Sequence, residues 1–180
     1  ARPAAVKLIR PEVLATGDES MAQTAVTRFR REAEAAAKLR SPHTVELYDF
    51  GVTEDGTLYL VMEFLEGRNL ELVVRQEGPL EPARVIHILR QVCESLEEAH
   101  SHGLVHRDIK PANIMLNRRG GEPDVVKVLD FGLVKAVDDD KASKHSDMSG
   151  TPLYMSPESI QTPDSVDACS DLYAVGAVGY

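Results

Sequence analysis

Cysteine is scarce in this chain of 180 residues: only Cys93 and Cys169 occur, far apart and without a CxxC spacing. That excludes a disulfide framework and points to a reducing compartment. No apolar run approaches the roughly 18 residues of a membrane span, and the opening ARPAAVKLIRPE, with its prolines and charges, does not read as a signal peptide. Positive charge is also short. Twenty Lys and Arg face 29 Asp and Glu, a formal net charge of −9, which argues against broad nucleic-acid binding. No internal repeat is visible.

What is present fits one soluble globular domain, with 43% hydrophobic residues and enough length for a sizeable core. Short strands are expected at Ala4–Ile9, Val45–Val52 and Leu58–Phe64, the last two joined by the hairpin signal Thr53-Glu-Asp-Gly56. A helix is expected over Thr24–Leu39, with Phe29, Ala33 and Ala36 at helical spacing and Pro42 beyond its end. Another is expected at Leu70–Gln76. The clearest helix is Glu81–His102, with Val85, Ile88, Leu89, Val92, Leu96 and Ala99 on its apolar stripe and Gly103 closing it. Cys93 on that helix reads as core. Ile114–Leu116 and Val125–Leu129 are short strands around Arg118-Arg-Gly-Gly121. Residues 133–155 lack periodicity and read as a long loop, a feature that is usually functional inside a compact domain. A final helix starts near Asp167.

The chemistry is concentrated in Leu104-Val-His106-Arg107-Asp108-Ile-Lys110-Pro-Ala-Asn113-Ile-Met115-Leu, followed after a short strand by Asp130-Phe131-Gly132. An aspartate, a lysine two residues on, an asparagine five on and a second aspartate can take a hydroxyl proton, neutralise a phosphate and hold metal ions. Phosphoryl transfer needs those jobs done, because its catalysis is mostly positioning and charge stabilisation. Asp108 is the candidate base, Lys110 the cation near a transferred phosphoryl group. Asn113 and Asp130 are hard oxygen donors suited to Mg²⁺. His106 reads as a packed structural histidine, and the other five histidines carry no ligand spacing. Lys7 stands in the middle of an apolar strand, costly unless paired. Glu32 interrupts the apolar stripe of the helix, so the two misplaced charges can satisfy each other. The bland reading is a snorkelling Lys7 and an exposed Glu32.

These residues resemble the eukaryotic-type protein serine/threonine kinases, with a bacterial flavour in Val-Leu-Asp-Phe-Gly-Leu-Val-Lys and Tyr-Met-Ser-Pro-Glu. The run H-R-D-x-K-P-x-N together with D-F-G is the general signature of that family. The resemblance implies a two-lobed α+β kinase fold: an N-lobe antiparallel sheet plus one helix over 1–65, with a hinge near Glu63–Leu65, and a mainly helical C-lobe over 66–180. It implies ATP and Mg²⁺ as cofactors, with Lys7 holding the α/β-phosphates and pairing with Glu32. Ala5 and Met115 match the residues above and below adenine. Met62 matches the position guarding the back of the pocket, and Glu63 and Leu65 those that bond adenine through the backbone. For Met62 and Met115, core filling is a compatible reading. Gly150-Thr151-Pro-Leu-Tyr154-Met-Ser156-Pro157-Glu158 resembles the peptide-binding loop, with Ser156 in place of the usual alanine and Thr151 expected to bond Asp108 and Lys110. Arg107 can hold a phosphate on the loop, for which Ser143, Ser146 and Ser149 are candidates. Asp171 matches a buried helix aspartate that braces the backbone of the catalytic loop.

The implied activity is transfer of the ATP γ-phosphate to serine or threonine of protein substrates in signalling, with autophosphorylation in trans. No nucleic acid or membrane segment is involved, and the domain is expected to be cytoplasmic, any membrane anchor lying outside it. Two alternatives stand beside it. A pseudokinase or scaffold module on the same fold is opposed by the intact Lys7, Glu32, Asp108, Asn113 and Asp130. A small-molecule phosphotransferase is opposed by Arg107, Lys110 and the 150–158 run. No Gly-rich loop precedes Lys7, and the arginine expected to pair with Glu158 is missing. The chain therefore reads as an internal piece of a longer kinase, truncated at both ends and inactive alone.

Overall fold

The computed structural model describes residues 2–9, 19–131, 152–162 and 165–180. The chain forms two compact units. The first contains β1 (Ala4–Ile9), α1 (Glu19–Ala36), β2 (Leu47–Val52) and β3 (Leu58–Glu63), with the strands antiparallel in the order β1-β3-β2. Strand side chains alternate between faces. Val6 and Leu8 are exposed on one face of β1, while Ala5, Lys7 and Ile9 lie opposite Met62, Leu60 and Leu58 of β3 on the other. That second face is the core face: Ile9, Leu58 and Leu60 cluster with Ala25, Phe29 and Ala33 of α1. The Phe29 ring meets Phe50 edge-on, centroids 6.4 Å apart.

Helix α1 starts five residues before the expected Thr24 and ends three before Leu39. Its apolar stripe begins earlier than Phe29, with Met21 and Ala25 packed at the core, and the hydroxyls of Thr24 and Thr27 donate to the carbonyls of Ser20 and Gln23. At the other end, Lys38 and Leu39 donate to carbonyls three residues back, a tightened last turn. Side-chain spacing barely changes through such a turn, so the sequence pattern runs on past the end of the helix. The hairpin turn is as expected, with Gly56 at φ 84°, a conformation glycine adopts freely.

The second unit takes in the segment Arg40–Val45, the run Leu65–Phe131 and the described residues beyond 150. It contains β4 (Gly67–Asn69), α2 (Leu70–Glu77), α3 (Pro82–Ser101), β5 (Ile114–Arg119), β6 (Glu122–Val128), α4 (Pro157–Gln161) and α5 (Ala168–Gly179). Strands β4, β5 and β6 form a second antiparallel sheet in that order. Strand β4 carries no alternating pattern and is not legible in the sequence. Strands β5 and β6 are longer than expected, because the arginines continue the ladder and only Gly120 and Gly121 turn. Strand β2 starts at Leu47 rather than Val45, since the Val45 N–H donates to Val128 O. Of the expected 133–155 loop only 152–155 is described, and Pro152–Tyr154 forms a 3₁₀ turn.

Two polar residues share the buried face of α3. Gln91 donates to Asp124 O at 2.9 Å and accepts from Val126 N at 3.1 Å, so it continues the hydrogen bonding of β6. Ser95 bonds Thr44 at 2.6 Å. Expected stripe members Val85 and Leu89 are only half-buried. Cys93 is half-buried as well, not core as expected, and burial pushes its thiol up.

Candidate active site

The second unit holds the motif loop. His106 is fully buried, with its ring 4.7 Å from that of Phe131. Its Nδ1 accepts from Asp108 N at 3.2 Å, so its Nε2 carries the proton and donates to Leu129 O at 2.7 Å. This arrangement needs a neutral imidazole, and burial holds the His106 pKa below its ordinary value, outweighing the nearby carboxylates that raise it. One ring thus ties the residue before Asp130 to Asp108, which bears out the structural reading of His106.

Asp171 is 1% exposed, and its two carboxylate oxygens accept the N–H groups of His106 and Arg107, each at 2.8 Å. His100 Nε2 lies 2.8 Å from the same carboxylate. Arg107 has φ 64° and Asp130 φ 58°. Non-glycine residues seldom adopt that region, at a cost of about 1 kcal/mol or more. At Arg107 the strained backbone is the one that Asp171 grips.

The reactive groups converge. Lys110 Nζ lies 2.8 Å from Asp108 Oδ2. Asn113 Nδ2 donates to that same Oδ2 at 2.9 Å and to Asp108 O at 2.8 Å. Asn113 is buried at the end of a 3₁₀ turn, and its carbonyl accepts from Leu129 N, bringing the strand that ends at Asp130 alongside. With its amide nitrogen turned to Asp108, Asn113 has its amide oxygen left for a cation. That oxygen and the Asp130 carboxylate make a short, hard donor set that fits Mg²⁺, which takes one or two protein oxygens and fills the rest with phosphate and water. Among the described residues no group of three or more His, Cys, Asp or Glu is placed to hold a metal ion. Met115 is half-buried on β5, and Leu65 is half-buried at the start of the unit.

In the first unit, Lys7 stands on the core face of β1 opposite buried Leu60, and Glu32 is half-buried on α1 between the core positions Phe29 and Ala33. Glu32 Oε2 is screened from solvent. Glu32 is not the exposed charge of the bland reading, whereas a half-buried Lys7 is compatible both with snorkelling and with a paired lysine. Ala5 and Met62 are directly opposed across β1 and β3, and Met62 also packs on the core cluster. Glu63 is turned inward: its side chain accepts from Glu46 N and its own N–H donates to Glu46 O, both at 2.9 Å. Its backbone can therefore offer a ligand only the carbonyl.

Ser143, Ser146, Ser149 and Thr151 lie outside the described residues, as does Gly132. Ser156 stands where the resemblance has alanine, and its hydroxyl is used. It is buried, caps α4 by accepting from Ser159 N, and bonds the Ser159 hydroxyl at 2.7 Å. Three partners gave no separate sequence signal: His100 to Asp171, Ser156 to Ser159, and Ser170 to Glu158.

The protein kinase domain family matches the chain over residues 1–180, and the chain belongs to that family. Bacterial serine/threonine kinases are among its relatives. The chain is 46% identical over 159 residues to the serine/threonine-protein kinase pkn3 of Myxococcus xanthus, covering 86% of this chain and 29% of that one. It is 41% identical over 184 residues to PknB of Mycobacterium tuberculosis, covering 99% of this chain and 28% of that protein. The chain thus spans less than a third of these curated relatives. The fold is that of a kinase. The crystal structure of Rad53 1-466 in complex with AMP-PNP superposes with a TM-score of 0.73 at 29% identity, over 98% of this chain and 40% of that one. Among the described residues no helix is long and apolar enough to cross a membrane.

Proposed function

We propose that this chain supplies the phosphotransfer residues of a bacterial protein serine/threonine kinase that uses Mg-ATP. The observation that carries the reading is the convergence of Lys110 and Asn113 on one carboxylate oxygen of Asp108. A hydroxyl arriving at Asp108 would find an acceptor held in place from two sides. Orientation of this kind is most of what phosphoryl transfer asks of a protein. Lys110, already beside Asp108, would offset charge developing on the transferred group. Asn113 and Asp130 would hold Mg²⁺, which supplies neutralisation of the phosphate oxygens when bound. Lys7 would hold the α/β-phosphates with Glu32 as its partner. Ala5, Met62 and Met115 would meet adenine, and the Glu63 carbonyl and Leu65 backbone would bond its edge.

Retention of all five charged or amide groups, Lys7, Glu32, Asp108, Asn113 and Asp130, favours an active enzyme over a scaffold of the same fold. The acceptors would be protein serines and threonines. Autophosphorylation in trans at Ser143, Ser146 or Ser149, with Arg107 holding the phosphate, belongs to the same reading, as does a cytoplasmic site of action where ATP is available. The test is Asp108→Asn in the natural full-length protein, assayed with Mg-ATP and a generic protein substrate. Turnover should drop by about 10²–10⁴-fold, the usual worth of a general base, while ATP binding is retained. Near-normal turnover would overturn the assignment.

A further inference from the structure

The first turn of α5 presents two consecutive side chains that reach different segments of the second unit. Asp171 grips the backbone of the catalytic loop. Ser170 reaches the other way: its hydroxyl donates to Glu158 Oε1 at 2.7 Å. A serine near a helix start often serves its own helix, by capping or by bonding back to a carbonyl. Here that work is already done. Asp167 is the cap, accepting from Cys169 N at 2.8 Å, and the Ser170 N–H bonds Asp167 O. Ser170 is nonetheless 5% exposed, so its hydroxyl is committed to Glu158.

Glu158 sits in the first turn of α4, a helix of five residues. A helix that short has little stability of its own, so its place depends on what ties it down. The inner tie is Ser156 capping Ser159. The Ser170–Glu158 bond is a tie to a longer element, beside the packing of α5 on the 152–154 turn, and hydrogen bonds to an ionised carboxylate are among the stronger ones. The Ser170 hydroxyl is also the main reason the Glu158 carboxyl lies below its ordinary range.

We propose that Ser170 is a positioning residue for the acceptor substrate: through Glu158 it sets where α4 and the 152–157 run before it lie. This rests on the kinase reading above and adds a role to it. One helix turn then fixes two parts of the reaction, Asp171 the catalytic loop and Ser170 the stretch that resembles the peptide-binding loop. Losing the hydroxyl should disturb acceptor binding and leave the Asp108 cluster and nucleotide binding as they are.

The experiment is steady-state kinetics of the natural full-length protein carrying Ser170→Ala, varying a serine-containing protein substrate and ATP in turn. The expected result is a rise of about tenfold in KM for the protein substrate, the order of one lost hydrogen bond to a charged group. kcat and KM for ATP should hold, the melting temperature should fall by no more than the few degrees that one lost hydrogen bond is worth, and Ser170→Thr, which keeps the hydroxyl, should restore the wild-type KM. Parameters identical to wild type in Ser170→Ala would overturn the proposal. So would a parallel change in kcat, both KM values and melting temperature, the mark of a merely structural bond. If the alanine variant does not fold, Ser170→Cys carries the same comparison, since a thiol is a weak donor of similar size. A wild-type protein that transfers no phosphate would overturn the kinase reading and this role with it. An active wild type with an indifferent Ser170 would overturn only this role.

Discussion

The two units hold their charged residues by opposite means. In the first, Lys7 and Glu32 are carried on elements whose positions come from apolar packing: Phe29 and Ala33 of α1 against Ile9, Leu58 and Leu60. In the second, the catalytic loop has almost no regular structure, and a lattice of buried polar groups shapes it. Asp171, His106 and Asn113 are all buried, and each bonds loop backbone. Apolar packing places a whole strand or helix, and so sets a charge only as well as its element. Polar bonds are directional and set individual atoms, including a backbone at positive φ. That suits the aimed base proposed for Asp108, whereas the phosphate-binding role proposed for Lys7, on a long flexible stem, tolerates a coarser placement.

Deletion experiments should separate the two means. Asp171→Ala is expected to have the largest effect. It leaves the buried His106 N–H and the part-buried Arg107 N–H without their acceptor, at about 1–3 kcal/mol for each such donor, and it releases the strained Arg107 backbone. Both the melting temperature and turnover should collapse; retention of either would mean the loop is held some other way. Phe29→Ala should cost about 3–5 kcal/mol, through the cavity left by a fully buried ring. Denaturant unfolding would measure it, and hydrogen exchange should rise first in α1 and the β1–β3 sheet while amides of 104–113 keep their protection. A simultaneous loss at both places would show that the two means of support are not separable.

Lys7→Met isolates function from folding. Turnover should drop by about 10²–10³-fold, the usual loss when one charge-stabilising donor is removed, with less than about 1 kcal/mol lost in stability. A fall in stability matching the fall in rate would make Lys7 structural instead. The smallest effect is a pH dependence of the second unit. His106 is neutral when folded and its pKa is lowered from 6.5 by burial. Below 6.5 the unfolded chain binds a proton that the folded one refuses, so stability should decline as pH falls from 6.5 toward the lowered folded value, and be unaffected by this group above 6.5. Its imidazole carbon-bound proton resonance should stay constant just below pH 6.5 while the protein remains folded. A shift with a midpoint at 6.5 would mean the ring is hydrated.

Much of this was legible beforehand because it rests on local spacing. The Asp108–Lys110–Asn113 set lies within six residues, and a tight turn can hardly avoid bringing such groups together. The α3 helix announced itself by its periodic apolar residues and its terminal Gly103. Lys7 and Glu32 stood out as charges at positions where apolar residues belonged. Helix ends and strand β4 were less legible, since a tightened last turn keeps the side-chain spacing of the helix and a three-residue strand carries no periodic signal.

The sequence by itself determined the family, the short-range grouping of Asp108, Lys110 and Asn113 and the order of most elements, since each follows from residue type at short range. Tertiary structure alone decided which distant polar groups meet. The N–H groups of Arg40 and Ser41 reach the Glu98 carboxylate at 2.8 and 2.7 Å, and buried Lys127 donates to Thr44 O. These bonds place Arg40–Val45 with the second unit rather than with the helix before it. Arg84 Nε pairs with Asp124 at 2.7 Å across 40 residues and pulls its carboxyl down. Ser170 finds Glu158, and His100 finds Asp171. A hydrogen bond depends on two groups meeting within about 3 Å at the right angle, and nothing in the spacing of either partner along the chain records that they will.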